Sequence, residues 1–285
     1  AAHAVAEAAR NVSCVGGEPL AVTDCLNFGN PERPEIMWQF EQACLGIADA
    51  CNALGTPVVS GNVSLYNETE GKGIYPTPTI GLVGLVDDCG KIAKSGFTAA
   101  GERVALLGDL GPGHLGGSEY LQRVHGAVQG MPPPLDLARE KSVQACVRAL
   151  VRAGLVGTAH DCSDGGLAVA LAEACFLNGL GADIALDKAL AGRPVPRADA
   201  LLFGEDASRI VIAYPPAATA RVEGLCAQHK VPLHVLGTVG GARLVIRGTG
   251  GALIDESVAE LKALWASSLP ALAAGELHAA LEGVH

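Results

Sequence analysis

The sequence has 285 residues and a net charge of −10, with 30 acidic against 20 basic side chains. This charge argues against a nucleic-acid-binding surface, which normally needs a basic stripe, but it does not exclude phosphate ligands that backbone amides or Mg²⁺ neutralise. No apolar run approaches the roughly 18 residues of a membrane-spanning helix, and no signal peptide is visible. The 9 cysteines are odd in number and scattered, which favours a reducing cytoplasm over a membrane or a secreted location.

Strands and helices alternate in the first third of the chain. The patterns predict the tail of a helix at 4–10, strands at 20–24, 57–60 and 79–86, and a long amphipathic helix at 36–54. Pro34 near the start of the long helix and Gly55 just past its end are the expected punctuation. The sequence begins inside a predicted helix, and no strand precedes this helix for it to cover. We therefore expect that the start of the chain is truncated.

A polar, Gly-containing stretch at 87–101 predicts a boundary, with domains at 1–95 and 96–285. The second domain begins with a strand at 103–107 and is predicted to end in a helical tail. Its other predicted strands are 156–160, 182–186, 209–214, 233–239 and 242–247, and its predicted helices are 136–153, 166–178, 216–229 and 256–268. This alternation predicts an α/β fold.

Small and polar residues follow two of the predicted strands. Asp24 comes at the end of the strand at 20–24, and Gly61, Asn62 and Ser64 follow the strand at 57–60. Glycine allows a ligand to approach the backbone closely, and an amide oxygen is a hard ligand suited to Mg²⁺. We therefore predict a phosphate and metal site built from loops on a sheet. The alternative is that both segments are ordinary turns, including an Asx turn at Asn62.

Three further segments have two interpretations each. The segment 160–167 lies before a helix. Either the free N–H groups of that helix N-terminus contact a phosphate, or Ser163 or Asp164 caps the helix. The Gly-rich segment 108–117 matches neither a P-loop nor a dinucleotide motif, and 116–119 is either an anion-binding nest or a plain turn. The segment 204–206 lines a ligand cleft or carries solvated acidic residues. His114 receives no role.

Several blocks of the sequence together resemble the synthetase component of phosphoribosylformylglycinamidine synthase, a family of de novo purine biosynthesis. In that family a longer chain carries two similar halves, and this sequence resembles the second. The resemblance implies an α/β fold with two aminoimidazole-ribonucleotide-synthetase-like domains, an N-terminal sheet domain followed by a larger C-terminal domain. The blocks that carry it are 21–32, 34–40, 56–68, 76–81, 116–120 and 160–167.

The resemblance implies a role for each residue of the first site. Asp24 and Gly61 contact ATP, Asn62 ligates Mg²⁺, and Ser64 touches the ribonucleotide substrate. The family reaction converts formylglycinamide ribonucleotide, ATP and ammonia to the amidine, ADP and phosphate. The catalytic base lies on the first half in this family, so we expect no catalytic residue here and no turnover by this chain alone. The implied partners are the first half, a glutaminase subunit and a small accessory subunit.

The resemblance also implies a second, pseudo-symmetric site at Asp136, Asp164, Gly204 and Glu205. Two other functions stay open at this point. The chain is either a non-catalytic assembly half with a vestigial nucleotide site, or another member of the same superfamily, similar to selenophosphate synthetase or to hydrogenase-maturation proteins. The block at 24–32 has no evident reason to be present in the latter proteins.

Overall fold

The computed structural model describes residues 1–190 and 197–274 and folds them into two α/β units. The first unit contains helices α1 (Ala2–Cys14) and α2 (Pro34–Leu54) and strands β1 (Glu18–Asn27), β2 (Val58–Ser64), β3 (Glu68–Thr69), β4 (Lys72–Gly73) and β5 (Thr77–Leu85). A three-stranded sheet has the order β2-β1-β5, with β1 parallel to β2 and antiparallel to β5. Strands β3 and β4 form a separate hairpin.

Helix α2 confirms the helix predicted from the sequence. Pro34 lies at its first turn, where a missing N–H costs little, and Gly55 ends it in the left-handed conformation with φ of 77°. Its buried side chains pack against the inner face of the three-stranded sheet, which carries Val22 and Leu26 of β1. The helix therefore covers one side of this sheet.

The opposite face of the three-stranded sheet is open to solvent. Along β5, exposed residues alternate with half-buried ones, so that Thr79 is exposed and Ile80 packs toward the helices. Successive side chains of a strand point to opposite faces. Because Val22 and Leu26 face the helices, Cys25 and its neighbours two residues away lie on the open face. Strands β2 and β5 are the two edges.

The second unit is larger and contains a seven-stranded sheet with the order β12-β11-β8-β10-β6-β9-β7. Neighbouring strands are antiparallel except β8 and β11. Its strands are β6 (Arg103–Leu107), β7 (Thr158–Asp161), β8 (Ala182–Ala185), β9 (Ile210–Tyr214), β10 (Leu233–Val239), β11 (Arg243–Gly248) and β12 (Gly251–Ser257). Its helices are α3 (Glu119–His125), α4 (Leu137–Arg152), α5 (Gly166–Phe176), α6 (Leu186–Ala189), α7 (Ala198–Phe203), α8 (Thr219–Gln228) and α9 (Val258–Ala273).

Helices cover both faces of the central strands of this sheet. Leu106 of β6 and Val211 of β9 belong to a core shared with α5 and α7, whereas Ala105 and Ile212 belong to a second core shared with α4 and α8. Strands buried on both faces are apolar throughout rather than alternating. This explains the uninterrupted apolar runs that predict these strands.

Helix α1 connects the two units. It packs against β1 and β5, which follow it in the chain, and also against α4 and β7 of the second unit. Its Arg10 is 3% exposed and donates from Nε to Glu140 Oε1 at 2.8 Å and from Nη1 to Asp161 Oδ2 at 3.1 Å. A buried ion-pair network therefore joins the first unit to the second.

The structure confirms the α/β fold class and the predicted long elements. It adds short elements that the sequence patterns do not predict, namely the β3–β4 hairpin, α3, α6, α7 and β12. The predicted boundary after residue 95 falls between β5 and β6. Of the predicted helical tail, α9 is described to Ala273, and residues 275–285 lie outside the described part of the chain. Among the described residues, no helix has the length and apolarity needed to cross a bilayer.

Candidate functional site

Asp24 and Gly61 lie side by side on two parallel strands. Residue 24 of β1 pairs with residue 61 of β2, and a Cβ placed on Gly61 would overlap the Asp24 carboxylate. Asp24 lies two residues from Val22 and from Leu26, so it faces the helix side of the sheet. Within the described part of the chain, no hydrogen bond to its carboxylate is present. The missing side chain at position 61 therefore makes room for the Asp24 carboxylate itself.

Asn62 and Ser64 lie on the opposite face. Residue 62 pairs with Cys25 and residue 64 with Asn27, which places both side chains on the open face of the sheet. Asn62 is exposed and Ser64 is half-buried. The predicted site is thus divided between two faces of one sheet, at the edge formed by β2.

The predicted ends of these two strands, at Asp24 and at residue 60, are wrong. Strand β1 continues to Asn27, three residues beyond Asp24, and β2 continues through Gly61 and Asn62 to Ser64. The Asx turn considered for Asn62 is wrong for the same reason, because this residue lies inside a paired strand. Backbone pairing with the neighbouring strand outweighs the turn preference of Gly and Asn here.

The turn that follows β2 is organised by Asn67. Its Nδ2 donates to Ser64 O at 2.9 Å and to Phe28 O at 3.1 Å, and its Oδ1 accepts from Ser64 Oγ at 3.2 Å. Asn67 was not among the candidate residues, although it lies in the same polar block. Asn67 therefore fixes the position of the Ser64 hydroxyl on the open face.

The oxygen ligands available at the β2 edge suit Mg²⁺. The exposed Asn62 amide and the unbonded Asp24 carboxylate are hard donors of the kind this ion prefers. Because they lie on opposite faces, one ion cannot take both directly, and Asn62 is the residue that would hold it. Among the described residues, no group of three or more His, Cys, Asp and Glu side chains forms a ready metal site.

A second set of polar residues surrounds a cavity of about 320 Å³ between α1 and the loops of the second unit. Its walls include Arg10, Gly117, Ser163, Asp164 and Glu205. The structure thus brings together two of the four residues predicted for the pseudo-symmetric site. Asp136 and Gly204 do not line this cavity.

Asp136 and Gly204 have structural contacts instead. The Asp136 carboxylate accepts the backbone N–H groups of Ala138 and Arg139, both at 3.0 Å, and so caps α4. The Gly204 carbonyl accepts from Nη2 of the buried Arg209 at 2.5 Å. Both groups are therefore engaged within the protein.

The Glu205 carboxylate accepts hydrogen bonds from backbone N–H groups that the sequence analysis considered as phosphate contacts. Its Oε1 accepts the N–H of Gly165 at 2.9 Å and that of Glu119 at 3.0 Å. Gly165 is the N-cap residue of α5, with φ of 75° and no side-chain capping bond, so the predicted capping by Ser163 or Asp164 is wrong. Burial raises the pKa of Glu205, and the negative charges of Asp164 and Glu119 raise it further. The two backbone hydrogen bonds lower this pKa but do not cancel the rise.

The Gly-rich segment before α3 contains a turn at 116–117, as one of its two interpretations predicts, and the Ser118 N–H donates to Leu115 O at 3.2 Å. Ser118 accepts the N–H of Leu121 at 3.2 Å and caps α3. His114 pairs through Nδ1 with Asp206, which also accepts the His114 backbone N–H at 3.1 Å. The prediction of solvated acidic residues is therefore wrong for Glu205 and Asp206. No sequence signal joins His114 to a partner 92 residues away.

The fold and the matched domains define the class of protein to which this chain belongs. Residues 1–86 match the model of the AIR synthase related protein N-terminal domain, and residues 99–248 match that of the AIR synthase related protein C-terminal domain. The chain therefore belongs to the AIR synthase related family.

Curated relatives point to one kind of protein within this class. The chain is 57% identical, over its whole length, to the phosphoribosylformylglycinamidine synthase subunit PurL of Anaeromyxobacter sp. (strain Fw109-5), and covers 37% of that protein. It is 52% identical to the PurL subunit of Moorella thermoacetica, with 96% of the chain and 36% of the relative covered. The chain thus spans little more than a third of the curated relatives it matches.

Solved structures agree on the fold. T. maritima PurL complexed with ATP superposes with a TM-score of 0.68 at 21% identity, covering 92% of this chain and 40% of that one. The hydrogenase maturation protein HypE superposes with a TM-score of 0.62 at 17% identity, covering 90% and 81%. At these identities the likeness extends to the fold alone.

Proposed function

We propose that this chain is the second synthetase segment of a phosphoribosylformylglycinamidine synthase and contributes ATP and Mg²⁺ contacts to it. The observation that carries the proposal is the 57% identity to a PurL subunit over the full length of the chain. The reaction joins ammonia to formylglycinamide ribonucleotide with conversion of ATP to ADP and phosphate. The natural setting is the cytoplasm, consistent with nine cysteines that are all free.

The edge strand β2 is where the contacts would form. Gly61 leaves the space that the Asp24 carboxylate occupies. In this proposal both residues contact the nucleotide, and the carboxylate accepts hydrogen bonds from its hydroxyl or amino groups. On the open face, Asn62 holds Mg²⁺. The Ser64 hydroxyl, which donates its proton to Asn67, accepts a hydrogen bond from the ribonucleotide. When bound, the ion neutralises charge on the transferring phosphoryl group. The part of this chain is to position substrates rather than to transfer protons, so it is inactive by itself.

The open face of the three-stranded sheet is the proposed contact surface for the first half of the synthetase. It carries exposed apolar side chains such as Val83 and Leu85, at 62% and 54% exposure. Among the described strands, β2 and β5 each pair on one side only and so leave two open edges. Such a face is normally covered by another element. A glutaminase subunit and a small accessory subunit complete the assembly in this proposal.

A graft tests the function directly. The chain replaces the matching segment of the Anaeromyxobacter PurL protein, and amidine formation is assayed with ATP, Mg²⁺ and ammonia. We expect the graft to be active and Asn62→Ala in it to lower kcat/KM by about 100-fold or more, because charge neutralisation by a metal is worth several kcal/mol. Asn52→Ala, which removes an exposed asparagine from α2 rather than from the open face, is the matched control and should change kcat/KM little.

The competing assembly function predicts a different result. If the nucleotide site is vestigial, Asn62→Ala leaves the activity per folded molecule unchanged and acts only on the melting temperature. Titration with ATP and Mg²⁺ then shows the same affinity for the active graft with and without this substitution. An inactive graft that folds and assembles would refute the ligase proposal itself.

A further inference from the structure

Two buried cysteines face each other across a helix–helix contact. Cys146 of α4 is fully buried and Cys226 of α8 is 3% exposed, and their Sγ atoms are 3.9 Å apart. A disulfide has a bond of about 2.05 Å, so the sulfurs need to approach by about 2 Å, which is within the reach of side-chain rotation and a small helix shift. The cysteines lie 80 positions apart and in no recognisable motif.

We propose that Cys146 and Cys226 form an oxidation-sensitive pair that closes to a disulfide and cross-links α8 to α4. The reaction joins the two sulfurs and removes two protons and two electrons, which hydrogen peroxide takes up as it becomes two waters. Attack by one thiolate on peroxide gives a sulfenic acid and the first water. Attack by the second thiol then forms the disulfide and releases the second water.

The contact gives the two thiols unequal reactivity. The Cys146 thiol donates a hydrogen bond to the Cys226 sulfur, and this bond lowers the pKa of Cys226. The same bond, together with burial, raises the pKa of Cys146. The thiolate is the nucleophile in such reactions, so Cys226 attacks the oxidant and Cys146 resolves the sulfenic acid.

Helix α8 provides the route for the oxidant. Only Val222 and Cys226 of this helix are buried, and its N-cap residue Ala218 makes no side-chain capping bond. Gly224 lies in its interior, where a glycine costs about 1 kcal/mol relative to alanine. Segments with few buried contacts open locally at lower free energy than the core. Opening of α8 exposes both sulfurs without unfolding of the sheet.

The experiment treats the native chain with hydrogen peroxide, blocks remaining thiols, and maps the peptides after trypsin digestion. Cleavage releases Cys146 in the peptide 142–148 and Cys226 in the peptide 222–230, each with a single cysteine. We expect these two peptides to be linked and to separate on reduction. The cross-linked protein should melt higher by about 5 °C or more, because a disulfide that closes a long loop restricts the unfolded chain.

Variants of α8 separate local opening from global unfolding. Gly224→Ala fills open space, since no atom lies within 4 Å of its Cβ position, and should slow linkage about 5-fold by stabilising the helix. Ala220→Gly at an exposed position should accelerate it about 5-fold for the opposite reason. Cys146→Ser removes the linkage, whereas Cys175→Ser, at a buried cysteine of the other core, retains it.

Three outcomes would overturn the proposal. One is the absence of the linked peptides while the exposed Cys89 is oxidised. Another is linkage of Cys226 to a different cysteine. The third is linkage whose rate responds to denaturant but to neither α8 variant. The peptide map of the unmodified chain decides the first two, even if Cys146→Ser fails to fold.

Discussion

At the scale of single residues, the Asp24 carboxylate on β1 fits against β2 because residue 61 is a glycine and has no side chain. Asp24 and Gly61 are register partners, and the carboxylate occupies the space that a Cβ at position 61 would need. The conformation of Gly61 does not require glycine, because its φ is not positive. The glycine is needed for space alone. A substitution at this position therefore tests the site without straining the backbone.

Gly61→Ala is expected to destabilise the chain by about 1–3 kcal/mol, because the added methyl group displaces the Asp24 carboxylate. Asp24→Ala in the same chain removes the obstacle and should restore most of the lost stability. Urea unfolding of the two single variants and the double variant measures this coupling. Additive effects in the double variant would contradict the expected overlap. Gly250→Ala, with no atom near its Cβ position, is the control and should be close to neutral.

Residue types were easier to predict from the sequence than residue positions. The sequence correctly joined Asp24 and Gly61 in one neighbourhood, but it placed Asp24 at the end of its strand and Gly61 beyond the end of the next one. Their strands continue by three residues each, and strand alternation then sends Asp24 and Asn62 to opposite faces. Turn-forming residues inside a strand give no local sign that pairing with a neighbour overrides them.

At the scale of secondary-structure elements, a histidine–glutamate pair joins β7 to α5. His160 Nε2 lies 3.2 Å from Glu173 Oε2, and its Nδ1 lies 3.1 Å from Ser95 O. Burial lowers the pKa of His160, but the bonds with Glu173 and Ser95 outweigh it and the net shift is upward. The bond with His160 lowers the pKa of Glu173. Both shifts favour the ionised pair.

The sign of these shifts predicts how the pair depends on pH. A raised pKa for His160 gives stabilisation that is complete below its ordinary value of 6.5 and lost as pH rises through the folded-state pKa. A lowered pKa for Glu173 gives stabilisation that is present above 4.5 and lost as pH falls through the folded-state pKa. The pair should therefore stabilise most between these two values.

A double-mutant cycle with His160→Gln and Glu173→Gln measures the coupling. We expect about 1 kcal/mol near pH 5.5, since both side chains are partly exposed, and a value near zero at pH 9. A matched cycle on the exposed pair Glu119 and Arg123 should show no such change between these pH values. Coupling at pH 9 as large as at pH 5.5 would show that a neutral hydrogen bond, rather than charge, holds the two elements together.

Long elements follow from the sequence, and short ones do not. The apolar spacing, Pro34 and Gly55 predict helix α2, and uninterrupted apolar runs predict the central strands. Helices α3 and α7 are only 7 and 6 residues long, too short for a 3.6-residue period to show. Strand β12 is mostly exposed and pairs only with β11, so its pattern carries little apolar signal.

At the scale of the whole molecule, a buried cation holds the two units together. Arg10 of α1 bonds to Glu140 of α4 and to Asp161 of β7, and Ser208 also donates to Glu140. Removing one partner of a buried ion pair leaves a desolvated charge without compensation. The two-unit α/β architecture was predictable, but this network was not, because Arg10 lies 130 and 151 residues from its two acceptors in the chain.

Arg10→Met is expected to lower the free energy of unfolding by about 3–5 kcal/mol, because Glu140 and Asp161 stay buried without their cation. Scanning calorimetry should show a lower melting temperature and separate transitions for the two units. Arg123→Met, which removes an exposed arginine from a surface pair, should cost less than about 1 kcal/mol. A single transition in Arg10→Met at the temperature of the unmodified chain would contradict this role.

The position of Arg10 in the chain has a consequence for biosynthesis. The ribosome adds Arg10 to the chain 130 residues before Glu140 and 151 residues before Asp161. At typical elongation rates its two acceptors are synthesised roughly 7–30 s after the arginine. Helix α1 packs against α2 and β5, which follow it closely, but its side toward α4 and β7 stays uncovered until translation has passed β7. Chaperone capture of ribosome-bound intermediates should therefore cease once the exit tunnel has cleared that strand.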